Sequence, residues 1–300
     1  MERTNSEGTM NEFVGALMQY KFLQTALLTG VLASVACGIV GTYVVVRRIT
    51  YIAGGIAHCV LGGMGAARYL QVVHGIDWAL PIYGAIAAAF AAAIIIGLVS
   101  LRAKQREDTV IGALWAVGMA AGVLFISKTP GYGVDLMSYL FGNILMVSQH
   151  EIRLLIGLDA LVVATGLLFF KQLQAVCFDE EFARLRGLNV EFYYLLLLCL
   201  TAATVVLLIT VVGIIMVIAL LTLPVAIAGF FAKRLGQMML LSIVLSMLFT
   251  AAGLGISYGP DLPAGSTIVM LAGAGYLAAV LTMWLSKVRR TQKPAPVEKE

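Results

Sequence analysis

Charge is what this sequence has least of. Only 12% of its 300 residues are Asp, Glu, Lys or Arg, about half of what a soluble domain carries to cover its surface. Histidine occurs three times. The four cysteines (Cys37, Cys59, Cys177 and Cys199) are scattered with no CxxC pair. That leaves neither a disulfide framework nor zinc-ligand spacing, and they read as small apolar packing residues. No GxxxxGK[ST] phosphate loop is present, so the chain lacks the usual means of binding ATP. HExxH, GxSxG and paired catalytic carboxylates are absent too, which leaves an intramembrane enzyme without a nucleophile–base or metal-ligand set. The N-terminal MERTNSEGTMNEF has no basic start, apolar core or small-residue cleavage site, so the first span reads as a retained anchor. A net charge of +4 reflects membrane topology and gives no reason to expect nucleic acid.

What fills the chain is apolar surface. Hydrophobic residues make up 61% of it and the mean hydropathy is +0.96, the mark of a polytopic membrane protein. Crossing about 30 Å of hydrocarbon takes roughly 20 residues of helix. Backbone groups there must be satisfied internally, which leaves helices or a closed barrel, and unbroken apolar runs without alternation exclude the barrel. The expected fold is an all-α polytopic membrane helical bundle of about nine spans (eight to nine). They run roughly over 22–46, 52–72, 79–101, 109–127, 151–170, 192–211, 214–232, 236–257 and 264–286. A polar N-terminal segment (1–20) precedes the transmembrane domain (21–286), and a charged, Pro-containing tail (287–300) reads as disordered. The stretch 193–232 carries no charge and is twice one crossing, so a turn or re-entrant break must lie within it. Gly213 is the expected pivot, and Pro224 is expected to kink the following helix.

Basic residues set the orientation. The loops at Arg47–Arg48, Arg102–Arg106, Lys171–Arg186 and Lys233–Arg234, with the tail from Lys287, hold 15 of the 20 Lys and Arg. With nine spans, this places the N-terminus outside and the C-terminus in the cytoplasm. One of those basic loops, KQLQAVCFDEEFARLRGLNVE (171–191), has the make-up of a short amphipathic helix. Asp179 is a candidate N-cap, Phe178, Phe182 and Leu185 share a face, and Gly187 supplies a stop. An apolar bundle has no folding need for such a helix, which points to a docking element for a partner outside the membrane.

Residues able to carry chemistry are few. In YIAGGIAHCVLGGMGAARYL, helical spacing puts Gly54, His58, Gly62 and Gly65 on one face, where small residues admit a neighbouring helix. His58 therefore faces the bundle interior, either lining a pathway or cavity or bonding a helix backbone and fixing packing. Imidazole suits zinc, manganese and iron, but one histidine is not a metal site. Asp159 lies at membrane depth, where a carboxylate needs a partner, and either helps line a pathway or bonds a hydroxyl on a neighbouring helix. Asp261, in YGPDLPAGS, either receives a cation at the entrance or forms a turn.

Several ordered blocks make the chain resemble the permease subunits of ABC transporters for zinc, manganese or iron. They are FLQTALLTG, GTYVVVRRITYIAGGIAHCVLGG, SYLFGNILMVS, FDEEFARLRGL, VVGIIMVIALLTLPVAIA and DLPAGSTIV, and they extend over about Phe22 to Trp284. The resemblance implies a bacterial-type cytoplasmic (inner) membrane protein without enzymatic activity. It implies a second permease copy (a homodimer or closely related heterodimer), a cytoplasmic ATPase and an extracytoplasmic metal-binding protein. ATP would bind only the ATPase, and the divalent metal would be cargo. It also implies that the loop is the coupling helix, carried by Asp179, Glu181, Phe182, Ala183 and Gly187. Gly54 stands where the family usually has Asp, and Asn143 where an acidic residue is common. Fewer anionic ligands leave room for a sibling permease carrying a metal chelate such as a siderophore or cobalamin. An ion-coupled carrier with a His58–Asp159 proton relay is the alternative from another class, which a coupling-type loop disfavours.

Overall fold

The computed structural model describes residues 15–102, 107–130, 142, 144–260 and 262–291. Among these no strand occurs, and the chain is a succession of long helices. In order they are α1 (Lys21–Val46), α2 (Thr50–Val73), α3 (Pro81–Arg102), α4 (Glu107–Lys128), α5 (Gln149–Leu168), α6 (Phe170–Phe178), α7 (Glu180–Leu185), α8 (Val190–Val212), α9 (Ile214–Phe231), α10 (Leu235–Tyr258) and α11 (Ala264–Thr291). Seven of them are long and apolar enough to cross a membrane, or eight if the bent pair α5–α6 forms one span. The glycine-rich α2, 24 residues long and buried along most of its length, is outside that set.

The helix ends follow local chemistry. Ser148 and Glu151 form a reciprocal capping box at the start of α5, and the Asn189 side chain accepts from the Phe192 N–H at the start of α8. Gly213 alone separates α8 from α9, at φ 84°, a conformation that costs a glycine little and other residues much. The expected pivot is therefore the observed one. Pro224 lies buried inside α9, which continues through it. α11 runs to Thr291, past the expected end at 286.

Among the seven candidate spans α1 and α8 are the most enclosed, while α4 and α11 are the most exposed. α2 packs between α3 and α4, and α1 packs on α10, α9 and α5. The α1–α10 seam is lined by small and hydroxyl residues. Ser242 and Thr42 both donate to the Gly38 carbonyl, at 3.1 and 2.6 Å, so these hydroxyls are satisfied at close helix approach. Large apolar side chains such as Val117, Leu124, Leu167, Met270 and Leu277 point outward, as lipid-facing surfaces require.

One feature of the expected outline is corrected. The segment after α5 is not a loop from Lys171: the chain turns by 75° at Phe169 and continues as α6. Leu173, Val176 and Cys177 of α6 are buried, so packing against the bundle holds the new direction.

Candidate functional site

Two places carry the residues singled out from sequence: the inward face of α2 and the connection between α6 and α8.

On α2, Gly54, His58, Gly62 and Gly65 do share a face, and α4 lies against it. A Cβ at Gly62 would stand 2.6 Å from the Gly118 carbonyl oxygen, and one at Gly65 would stand 3.0 Å from that of Gly122. A Cβ at Gly54 would meet the Trp115 ring at 3.1 Å. The two backbones approach this closely only because the side chains are missing. His58 is buried and stacks on Trp115, with ring centroids 4.3 Å apart and an interplanar angle of 18°. Its Nδ1 has no hydrogen-bonding partner. The stack orients the imidazole. Trp115 escaped the sequence reading; no spacing rule links a lone tryptophan to a histidine on another helix.

Asp159 is also buried, on α5 rather than α2. Its carboxyl lies against α1 beside the Ala36 backbone and Cys37, and Oδ2 has no hydrogen-bonding partner. The main neighbours of α2 are α3 and α4, whereas α5 packs on α1 and α8. The fold thus places His58 and Asp159 on different seams. Asp261 and Asn143 lie outside the described residues. Among those described, no three His, Cys, Asp or Glu side chains converge on a metal-sized site.

The second place is a built helix terminus at each end of α7. Asp179 Oδ1 accepts from the Phe182 N–H at 3.0 Å, the N-cap expected from the sequence. At the other end Gly187, at φ 75°, donates to Arg184 O (2.9 Å) and Leu188 donates to Ala183 O (3.1 Å). This paired closure around a left-handed residue is a Schellman stop. Only the small Ala183 faces inward, into a cluster with Val176 and Val190. The bulky apolar side chains do the reverse: Phe178, Phe182 and Leu185 are 65%, 47% and 87% exposed. Arg186 lies over the Phe182 ring at 4.9 Å, and Glu181 is exposed. Beside Phe178 a groove is lined by Phe170, Gln174, Lys233, Leu235 and Gln237. The loop after α9 therefore shares this end of the bundle, as does Arg47, which pairs with Glu180. Three of the basic clusters counted in the sequence are thus on one end.

Residues 19–283 match the ABC 3 transport family. The chain belongs to the ABC 3 transport family. It is 40% identical over 268 residues to a probable metal transport system membrane protein of Chlamydia pneumoniae, covering 89% of this chain and 90% of the other. It is 34% identical over 270 residues to the manganese import system permease protein ScaB of Streptococcus gordonii, covering 90% and 94%. Among solved structures, PsaBC from Streptococcus pneumoniae in complex with Fab superposes with a TM-score of 0.77 at 33% identity, over 90% of this chain and 94% of that one. The blocks that carried the resemblance thus identify a permease of the metal ABC transporter family, and the apolar helices are those of a membrane protein. Within an ABC 3 permease, a stretch that seats aromatics outward at one basic end and a stacked histidine inside the bundle are the features to be explained.

Proposed function

We propose that this chain is the membrane permease of an ATP-driven importer for a divalent transition metal ion, with Mn²⁺ the leading cargo over Zn²⁺ and Fe²⁺. The observation that carries this is α7: a six-residue helix, capped at both ends, that buries one alanine and leaves Phe182 and Leu185 exposed beside Phe178 at the end of α6. Apolar exposure on a fixed scaffold at the basic end is what a soluble partner recognises, and in this family the partner is the ATPase. Manganese is supported by the names of the relatives, among them the import permease of Streptococcus gordonii.

In this reading α2 and the α5–α6 pair each count as one span, giving nine, with the N-terminus outside and α7 in the cytoplasm. Two copies of the chain enclose the pathway, and a binding protein delivers metal from outside. ATPase closure pushes on α7 and alternates access to the two faces of the membrane. His58 offers its unpartnered Nδ1 to the passing ion, and Asp159 offers its unpartnered Oδ2 on a separate seam. Two weak, separated stations suit a conductor, because cargo held by a closed ligand set would not be released.

The test is reconstitution into vesicles with the cognate ATPase and binding protein, measuring radiolabelled Mn²⁺ uptake. Uptake is expected only when ATP and both partners are present. Full-rate uptake by the permease alone would make it a secondary carrier.

A further inference from the structure

We propose that Arg47 is the positioning residue through which movement of α7 reaches the turn between α1 and α2. This inference rests on the reading of α7 as the ATPase-docking helix.

Arg47 closes the C-terminus of α1, and its side chain leaves that helix to meet three other elements. One guanidinium nitrogen pairs with Glu180, the first residue of α7. The other donates to the Val176 carbonyl of α6 at 3.1 Å. The plane of the group lies over the Tyr194 ring of α8, 5.4 Å from its centroid. A planar fork can hold two acceptors and a ring face together, which the point charge of a lysine cannot do.

The backbone beneath this side chain is fixed. Arg48 adopts φ 62° and is the one non-glycine residue at positive φ among those described. Its N–H donates to Val45 O and that of Ile49 to Val44 O, both at 3.0 Å. This is the same closure that ends α7, built here on arginine, for which the left-handed conformation is unfavourable. α2 begins two residues later at Thr50, so no slack separates Arg47 from the helix carrying His58. Glu180 follows the N-cap Asp179 directly, so Arg47 grips α7 at its fixed end. A displacement of α7 must therefore either break the Arg47 contacts or carry the α1–α2 turn with it.

Two other roles compete: Arg47 could hold the fold alone, or serve only as a positive charge that orients insertion. Both are separated from positioning by the ratio of Mn²⁺ transported to ATP hydrolysed in complexes that retain their ATPase. Arg47→Lys preserves the charge for insertion, and Glu180→Gln removes the ion pair from the other side. Arg48→Lys is the control, because among the described residues no contact of this kind involves Arg48. The expected result is normal ATPase capture and a ratio lowered by about two- to thirtyfold for Arg47→Lys and Glu180→Gln, the span of couplings that single residues carry between sites. Arg48→Lys should match the unmodified protein. A normal ratio in both variants overturns the proposal, as does parallel loss of capture and transport, which marks a purely structural arginine. Failure of the docking reading shows separately, in Phe182→Asp capturing the ATPase as well as the unmodified permease does.

Discussion

Removing the caps of α7 should weaken the ATPase complex while leaving the membrane bundle intact. Six residues are far too few for a stable helix in isolation, so α7 depends on its caps and on the seat of Ala183. Asp179→Ala deletes the acceptor for the Phe182 N–H, a loss of about 0.5–2 kcal/mol. Gly187→Ala forces a Cβ into φ 75°, at a cost of about 1–2 kcal/mol. Taking about 1.4 kcal/mol for each, the ordered fraction of α7 falls by up to about tenfold per substitution, and the apparent affinity for the ATPase falls with that fraction. Combined, the two reach about a hundredfold if they add; any residual order supplied by Ala183 lowers both figures. Gly187→Asn tolerates the left-handed conformation and should stay close to the unmodified protein. The assays are ATPase affinity for the purified permease and amide exchange over 179–187. Global thermal unfolding should not move, because the change is local. If exchange rises in the double variant while affinity stays within about twofold, α7 is not the docking element. If neither changes, the caps are not what orders it.

The remaining expectations concern the bundle interior. His58→Ala should slow Mn²⁺ uptake without loss of ATPase capture, whereas Trp115→Leu, which keeps the imidazole but removes its stack, should retain more uptake. Equal losses in the two would make packing the role of His58. Asp159→Asn replaces a buried carboxyl with one unpartnered oxygen, and should preserve thermal stability while reducing uptake; unchanged uptake would leave Asp159 outside the pathway. Gly62→Ala drives a Cβ to 2.6 Å from the Gly118 carbonyl and should cost about 1–3 kcal/mol. Gly157→Ala meets nothing within 4 Å and should stay within about 0.5 kcal/mol, both read from melting in one detergent.

Helix limits were legible because lipid admits so little else: the expected edge at 46 falls at Val46, that at 232 at Phe231, and Gly213 lies where an uncharged double length demanded a break. The short helix α7 was legible because caps are local, and Asp179 and Gly187 act within a few residues of themselves. The turn at Phe169 was not. No proline or glycine occupies that position, and its direction is set by the burial of Leu173, Val176 and Cys177 against other helices. A capping box at Ser148 and Glu151 was present in the sequence and would have moved the start of α5 to Gln149. The face of His58 followed from helical spacing, but its ring partner did not, because Trp115 meets it only through tertiary contact. Arg47 entered the sequence reading solely as a charge on the inner side; a hydrogen bond to a carbonyl more than a hundred residues away leaves no trace in the local pattern.

The 75° turn at Phe169 makes α6 a lever arm lying across the end of the bundle. Its nine residues reach about 13 Å, so a tilt of only about 10° about Phe169 swings Asp179 by about 2 Å. A straight continuation of α5 would turn the same push into compression along its own axis, which a hydrogen-bonded helix resists. Set crosswise, the arm would answer a push from a docked partner by pivoting about Phe169.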